Sequence, residues 1–592
     1  MVPNIGNILS KIPNRGDVME KTIPVDEGAE AFVELLNANN VEYIFLNPGT
    51  DTFPIQEALS KFKALGKRTP EVILSLHESV AMAAAHGHFM ISGRPQVVMV
   101  HVDAGTQNVG GALHNAQRGR AGIIFCAGRT PLTFDQGVRG GRSSGIHWLQ
   151  EQFDQASIVR PYVKWDYELR TNTNIHQVVQ RAFQVASTEP CGPVYLTLPR
   201  EVLMEKIESV TIPDVTRHAA AATPQADTAL LTKVAESLIN AETPLIMTGN
   251  SGRHPQSLAA LVELAEAVGA RVITDKPRMN FPTTHPLYAG SDPNPYLKDA
   301  DVLLLIDYDV PYVPAQTKPK PNAEIIHIGI DPIKKDIPLW VFPGDVLIQA
   351  DSSKAIPATT AVVRQKTTAE QQAQFQARSQ RLQGEHQQLR DGWHSLAMAK
   401  AEQKPIAPEW LCRCIGEEID EDTILLGEPV TNQPSMSQQI ERTRPGTLFG
   451  CGTSLGWGLG AALGAKLASP DKTVVTLVGD GTFIFGCPIP TLWAASVYQA
   501  PFLIIIFNNQ LYHAPKRALR GEYGENSFSE RTGDWVGVDI VPSPDYALIA
   551  QACGAYGQTV EDPSVLRSAL RDALDQVRRG KPAVLDVRIE SL

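Results

Sequence analysis

The stretch VVTLVGDGTFIFGCPIPTLWAASVYQAPFLIIIFNNQ, from Val474 to Gln510, constrains this chain more than any other. Val474 to Val478 is a short apolar, β-branched run that stops at Gly479-Asp480-Gly481, and Phe502 to Phe507 is a second run that stops at Asn508-Asn509. Apolar runs bounded by turn residues read as buried parallel strands. The segment between them is long enough for a crossover helix, so Asp480 and Asn509 are expected side by side at the carboxyl ends of neighbouring strands. Open α/β sheets take their ligands in that crevice. Asp480 and Asn509 offer hard oxygen donors, and the glycines let an anion approach the backbone. Magnesium held by few protein oxygens together with phosphates fits that supply. Asp-Gly alone would be an ordinary turn.

The chain has 592 residues, enough for three or four domains at about 100–200 residues each. Hydrophobic residues make up 43% and charged residues 20%, which excludes disordered and collagen-like classes. A formal net charge of -11 argues against a nucleic-acid surface spread over the molecule. The seven cysteines are odd in number and form no Cys-x-x-Cys pair, the usage of reduced thiols in a cytoplasmic protein. The beginning, MVPNIGNILSKIPNRGDVMEK, has no apolar core suited to a signal peptide, and no run of about 18 apolar residues occurs anywhere. The expectation is a soluble, cytoplasmic protein with no membrane or nucleic-acid partner and an N-terminal arm over residues 1–21.

From residue 22 to 205 helical and strand patterns alternate, with strands expected at Tyr43–Leu46, Val97–His101, Ile123–Cys126 and Val194–Leu198. Such alternation predicts a parallel sheet covered on both faces. Residues 206–225, rich in Ala, Thr and Pro toward their end, read as a linker. A second α/β unit is expected over 226–364, a solvated helical connector over the Gln-, Ala-, Arg- and Lys-rich 365–406, and a third unit over 407–592, closing with a strand at Ala583–Ile589. The predicted fold class is α/β, with three consecutive doubly wound domains and mainly parallel sheets.

The Gly-Asp-Gly to Asn-Asn spacing, with this three-unit layout, resembles the decarboxylase and acetolactate-synthase branch of thiamine-diphosphate (ThDP) enzymes, over most of the chain. The resemblance implies that Asp480, Asn509 and the backbone oxygen of Leu511 hold Mg2+. It also puts Gly479, Gly481, Thr482 and Thr431 around the diphosphate. The thiazolium serves as an electron sink once the cofactor's own aminopyrimidine takes its C2 proton, and a glutamate must favour the imino tautomer of that ring. Ile73-Leu74-Ser75-Leu76-His77-Glu78-Ser79-Val80 resembles the family's glutamate segment and makes Glu78 that acid. By itself Glu78 could equally be an acid that favours a helix N-terminus. The Gly-rich run Phe449 to Ala462 implies Leu455 as the wedge beneath the cofactor and the carbonyl of Thr453 as a partner of its amino group. The plainer reading of that run, a helix packed tightly on a sheet, is compatible with this role. In the family the glutamate and the diphosphate site come from different subunits, which implies a homodimer at minimum and a homotetramer as the expected assembly.

Leu46-Asn47-Pro48-Gly49-Thr50 and His101-Val102-Asp103-Ala104-Gly105-Thr106 look most like the benzoylformate decarboxylase group. Pro48 would then lie against the cofactor, with Thr50 and His101 at the reacting carbon. The segment Phe281 to Pro286 implies a second active-site imidazole at His285. Imidazoles titrate near neutral pH and suit proton transfer there, although His101, after an apolar strand, could also be a satisfied structural residue. His77, His114 and His513 are further candidates without distinguishing context. Thr50 stands where that group has serine and narrows the pocket. The loops 130–152, with Arg139, Arg142, His147 and Trp148, and 516–544, with Arg517, Arg520, Arg531 and Trp535, look longer than in that group. They could bring cations to an acidic substrate or be solvated loops.

The leading expectation is a ThDP- and Mg2+-dependent enzyme that cleaves or forms a carbon-carbon bond in a 2-oxo acid or related small-molecule carbonyl donor, as a decarboxylase or carboligase. An acetolactate-synthase-like carboligase comes next. A 2-hydroxyacyl-CoA lyase follows, weakened because little chain remains after the last strand to fold over coenzyme A. A non-catalytic ThDP-fold protein would be expected to have lost motif residues that are present here. A Rossmann nucleotide binder would need Gly-x-Gly-x-x-Gly spacing, which Gly456-Trp457-Gly458-Leu459-Gly460 lacks. Whether the central domain binds FAD is left open.

Overall fold

The computed structural model describes residues 20–134, 137–275, 278–450 and 453–591. The arm 1–21 therefore falls outside the described residues except for Glu20 and Lys21, and so do Cys451 and Gly452 of the Gly-rich run. The described residues build three parallel sheets of six, five and six strands, and one two-stranded antiparallel ribbon.

In the first sheet the strands lie in the order Glu71–Leu74, Tyr43–Leu46, Gln96–Val100, Ile123–Arg129, Val194–Pro199, Asp166–Glu168. In the second the order is Arg271–Thr274, Pro244–Thr248, Val302–Ile306, Glu324–Gly329, Val346–Gln349. In the third it is Leu448–Gly450, Ile424–Glu428, Val474–Gly479, Leu503–Asn508, Ala583–Arg588, Tyr556–Val560. Central strands such as Gln96–Val100, Pro244–Thr248 and Leu503–Asn508 are buried at every residue, as apolar runs covered on both faces must be. Each sheet starts at an inner strand, adds the second strand on one side and the third on the other. The order therefore reverses at the carboxyl ends of Tyr43–Leu46 and Gln96–Val100, of Pro244–Thr248 and Val302–Ile306, and of Ile424–Glu428 and Val474–Gly479, the places where doubly wound sheets open a crevice.

The chain divides into two compact units. One holds the described residues up to Leu74, Arg94–Gly110 and Arg120–Ala221; the other holds Ser75–Gly93, Gly111–Gly119 and Ala222 onward. The stretch 206–225, expected as a linker, contains the strand Ser209–Ile212, which pairs antiparallel with Lys21–Pro24. Its alternating Ser-Val-Thr-Ile pattern buries only Val210, too faint an apolar signal to stand out. Within 365–406, Ala369–Ala399 is one helix of 31 residues, opened by a capping box between Thr368 and Gln371 and burying only Phe375, Leu382, His386 and Ala397, while residues 365–366 end the preceding helix Ser352–Lys366.

Candidate active site

In the third sheet Gly479 ends its strand opposite Phe507 of the neighbouring strand, and Asp480 opens the short helix Asp480–Phe485. The Asp480 carboxyl is buried; Oδ1 accepts the Gly481 N–H at 2.8 Å, while Oδ2 has no hydrogen-bond partner among the described residues. Burial lifts this carboxyl to about 6. An orphaned, buried carboxylate oxygen is costly unless a cation neutralises it. Of the asparagine pair, Asn508 turns inward and donates to Asp586 Oδ1 at 2.7 Å. Asn509 instead accepts the Leu511 N–H at 3.3 Å, across Gln510, which is held at a left-handed φ of 62°. A non-glycine residue there costs about 1–3 kcal/mol and persists only where its surroundings fix it. The carboxylate of Asp480, the amide of Asn509 and the carbonyl of Leu511 make a hard donor set suited to Mg2+. No cluster of three or more His, Cys, Asp or Glu side chains is gathered for a metal among the described residues, so a cation held here would complete its shell from a ligand's oxygens. Glycine is needed at 481 because a Cβ there would strike the Tyr512 ring. Thr482 is buried in the same short helix.

A second carboxyl at this switch point was hidden in the sequence. Glu428 ends the strand Ile424–Glu428, is buried, and accepts Gly456 N–H at 2.9 Å on Oε1 and Gly458 N–H at 2.7 Å on Oε2. Burial outweighs those bonds and pushes its carboxyl up to about 8. Glu428 thereby fixes the start of the helix Trp457–Ala468, directly after Leu455, which remains partly exposed. From the other side Asn115 clamps the preceding residues. Its Oδ1 accepts the Thr453 hydroxyl at 2.8 Å and the Ser454 N–H at 2.9 Å, and its Nδ2 donates to the Ser454 carbonyl at 2.8 Å. Thr431 follows Glu428 in the one-turn helix Val430–Asn432, beside Val430 at a φ of 45°.

Glu78 is buried at the first position of the helix Glu78–Ser92, whose N-cap is His77. This helix and Trp457–Ala468 meet through small residues: a Cβ on Gly87 would strike the Ala461 backbone, and one on Gly464 the Ala84 carbonyl. Trp457 Nε1 donates to His86 Nδ1 at 3.1 Å across the same contact. Against the sheet the fit is close at Gly458, where a Cβ would meet Thr476 and Val478 of the strand Val474–Gly479.

The other unit carries His101, just after the strand Gln96–Val100 and at the switch point of the first sheet. His101 Nδ1 lies 2.5 Å from Asp51 Oδ1, Asp51 Oδ2 accepts the Val102 N–H at 3.0 Å, and His101 Nε2 lies 3.2 Å from Gln150 Oε1. The hydrogen bond to Asp51 raises the imidazole above its usual range, against the opposing effect of burial. Asp51 was not recognised in the sequence. The available signal was its place two residues after Gly49; a Cβ at Gly49 would strike His101 and one at Gly128 would strike Asp51. Val102, at a φ of 29°, is an outlier for a β-branched residue. Pro48 and Thr50 sit in the same turn, and the Thr50 carbonyl accepts from Arg200 Nη1 at 2.9 Å.

His285 is engaged by its own domain: its Nε2 lies 3.2 Å from Glu266 Oε1 and its ring packs edge-on against buried Phe281 at 4.9 Å. His513 opens the helix His513–Tyr523, and burial lowers it. Three of the loop arginines that could have met an acidic substrate are paired internally. Arg139 meets Glu27 at 3.1 Å, Arg142 meets Glu151 at 2.6 Å and lies over the Trp148 ring, and Arg520 meets Glu530 at 2.8 Å.

Comparison with known proteins adds three matches: the thiamine pyrophosphate enzyme N-terminal TPP binding domain over residues 26–158, the central domain over 231–358, and the C-terminal TPP binding domain over 431–587. The benzoylformate decarboxylase of Pseudomonas aeruginosa is 27% identical over 587 residues, covering 95% of this chain and 98% of that protein. The acetolactate synthase isozyme 3 large subunit of Escherichia coli is 24% identical over 594 residues, covering 95% of each. Among solved structures, the thiamine diphosphate-dependent 4-hydroxybenzoylformate decarboxylase of Rhodococcus jostii superposes with a TM-score of 0.76 at 22% identity, covering 95% of this chain and 99% of that one. The benzoylformate decarboxylase of Polynucleobacter necessarius gives 0.77 at 20%, covering 96% and 99%. Both carry the same fold.

Proposed function

Because the chain belongs to the thiamine pyrophosphate enzymes, we propose that it is a ThDP- and Mg2+-dependent decarboxylase of a 2-oxo acid that also joins the retained fragment to an acceptor carbonyl. Bound ThDP supplies a thiazolium that stores the electron pair released when the bond beside a carbonyl breaks. Asp480, Asn509 and the Leu511 carbonyl hold Mg2+, and Gly479, Gly481, Thr482 and Thr431 face the diphosphate. Glu78 hydrogen-bonds the pyrimidine ring and holds it in its reactive tautomer. Leu455, fixed by Glu428 and Asn115, supports the cofactor from beneath, and the Thr453 carbonyl receives its amino group. Pro48 lines the pyrimidine side and Thr50 offers a hydroxyl to the substrate. In this reading residues 22–205 form the pyrimidine domain, 226–364 the central domain and 407–592 the diphosphate domain. The active unit is at least a homodimer, built as a homotetramer, and works in the cytoplasm.

The observation that carries the decarboxylase reading is the His101–Asp51 pair at 2.5 Å. A carboxylate-held imidazole remains protonated closer to neutral pH and can deliver the proton that releases an aldehyde. The proton is assigned to His101 rather than His285, whose ring is committed to Glu266. The likeness to acetolactate synthase favours a second reading, in which an acceptor takes the place of the proton. The test is to incubate the holoenzyme with a panel of 2-oxo acids, trap carbon dioxide and identify the organic product. Carbon dioxide with an aldehyde, lost when ThDP or Mg2+ is omitted, is expected. Carbon dioxide with only an acyloin or acetolactate-type product would favour the second reading, and no turnover of any 2-oxo acid would overturn both.

A further inference from the structure

Cys487 links the helices Asp480–Phe485 and Pro488–Val497 and is the N-cap of the second, a helix of 10 residues. It is held in a left-handed conformation with φ 54° and is partly exposed. Its Sγ lies 3.8 Å from Ser79 Oγ, and Ser79 Oγ lies 2.8 Å from His77 Nδ1. The Ser79 backbone N–H also points at His77 Nδ1, at 3.2 Å, so this nitrogen is an acceptor in the neutral ring. The thiol has two acceptors at 3.8 Å, the serine oxygen and the Phe485 carbonyl; when it donates to the serine oxygen, the serine hydroxyl donates to Nδ1.

We propose that Cys487, Ser79 and His77 form a proton relay that makes Cys487 the most nucleophilic thiol among the described cysteines, a site of covalent modification by soft electrophiles and peroxides. Shifting both protons along the relay leaves a thiolate on the N-cap residue of the helix Pro488–Val497, a position where negative charge is favoured, and an imidazolium at His77. The surrounding groups act in the same direction: hydrogen bonding to His77 lowers the Cys487 thiol, and Glu78 opposes that effect. Hydrogen bonding to Cys487 raises His77, which Glu78 assists. The other described cysteines are differently placed. Burial raises Cys126, Cys412, Cys414 and Cys553, and Cys191 donates to the Ser187 carbonyl at 3.3 Å.

With hydrogen peroxide the thiolate attacks one oxygen. The sulfur-oxygen bond forms, the oxygen-oxygen bond breaks, and the departing hydroxide takes the proton from His77. Sulfur is oxidised by two electrons to a sulfenic acid while peroxide is reduced to water. With iodoacetamide the sulfur-carbon bond forms, iodide leaves and the proton stays on His77.

The test uses the full-length protein, with and without ThDP and Mg2+, and limiting iodoacetamide at a fixed mildly acidic pH. Peptide mass analysis follows each of the seven cysteines. Cys487 is expected to label about 10-fold faster than any other cysteine, and His77→Asn to remove that advantage and move the midpoint of its pH-rate profile upward. Ser79→Ala, which breaks the relay without touching the imidazole, is expected to act in the same direction, and Cys487→Ser to abolish the fast label. Equal or faster labelling of another cysteine would overturn the proposal. So would wild-type reactivity of Cys487 in folded Ser79→Ala and His77→Asn proteins. Labelling is read by mass and independently of turnover, so its failure is distinct from failure of the proposed reaction.

Discussion

Glu428 is a single side chain that accepts two glycine N–H groups on separate oxygens. Gln has one oxygen for those two donors, so Glu428→Gln leaves a buried N–H facing an amide N–H. A loss of about 1–3 kcal/mol in urea unfolding is expected. The sign of its pH dependence is fixed: with the folded-state carboxyl at about 8, the folded protein holds a proton that the unfolded chain has released. This contribution is full below the ordinary glutamate range and is lost as pH rises to about 8. Glu428→Gln should flatten the fall in stability across that window. His101 is raised by its bond to Asp51, so its stabilising contribution is full below about 6.5, the ordinary histidine value, and is lost as pH rises through the higher folded value. If the protonated ring donates to product, the alkaline limb of kcat/KM for aldehyde release moves to lower pH in Asp51→Asn, which the pH-rate profile measures. Neither carboxyl was legible in the sequence. Asp51 lies between two threonines and Glu428 before a proline, and each matters only because glycines far along the chain leave space or N–H groups for it.

Among the elements, the strands flanking Asp480 and Asn509 were legible because central strands are apolar throughout. The edge strands Asp166–Glu168 and Tyr556–Val560 were not, since one or both faces are only partly buried and their residues, Asp-Tyr-Glu and Tyr-Gly-Gln-Thr-Val, show no apolar run. The partners of the loop arginines were not legible for a related reason. Charge is visible in sequence, but the ion pairs of Arg139, Arg142 and Arg520 with Glu27, Glu151 and Glu530 are not. The two Gly-dependent helices make a quantitative prediction. Gly464→Ala drives a methyl into the Ala84 carbonyl and should cost about 1–3 kcal/mol. Gly392→Ala, in the long helix Ala369–Ala399 where a Cβ meets nothing within 4 Å, should stabilise by about 0.5–1 kcal/mol. Thermal unfolding of the two variants should therefore move in opposite directions.

At the scale of the whole molecule, three sheets share one opening order; Pro48, Thr50 and His101 follow the two strands at the first switch point, while Glu428 ends one and Asp480 follows the other of the two at the third. The second is filled from within: Arg253 Nη1 meets Asp307 Oδ2 at 2.5 Å with both side chains buried, and Asn280 Oδ1 accepts the Gly252 N–H at 2.8 Å. A dinucleotide would have to displace that ion pair, so the purified protein is expected to lack flavin absorbance and to gain none on incubation with FAD. Three α/β units and the strand ends that carry the candidate residues were legible because strand ends, glycines and acids fall together in the sequence. The substrate was not, because its pocket depends on side chains from many segments. The central claim is that Glu78 activates a ThDP anchored through Asp480. It is tested most directly by the rate at which deuterium replaces the thiazolium C2 proton of ThDP on the Mg2+-loaded enzyme. A fall of about 100-fold or more is expected for Glu78→Gln with binding retained, the scale of a lost acid-base group. Exchange at the wild-type rate in that variant would contradict it.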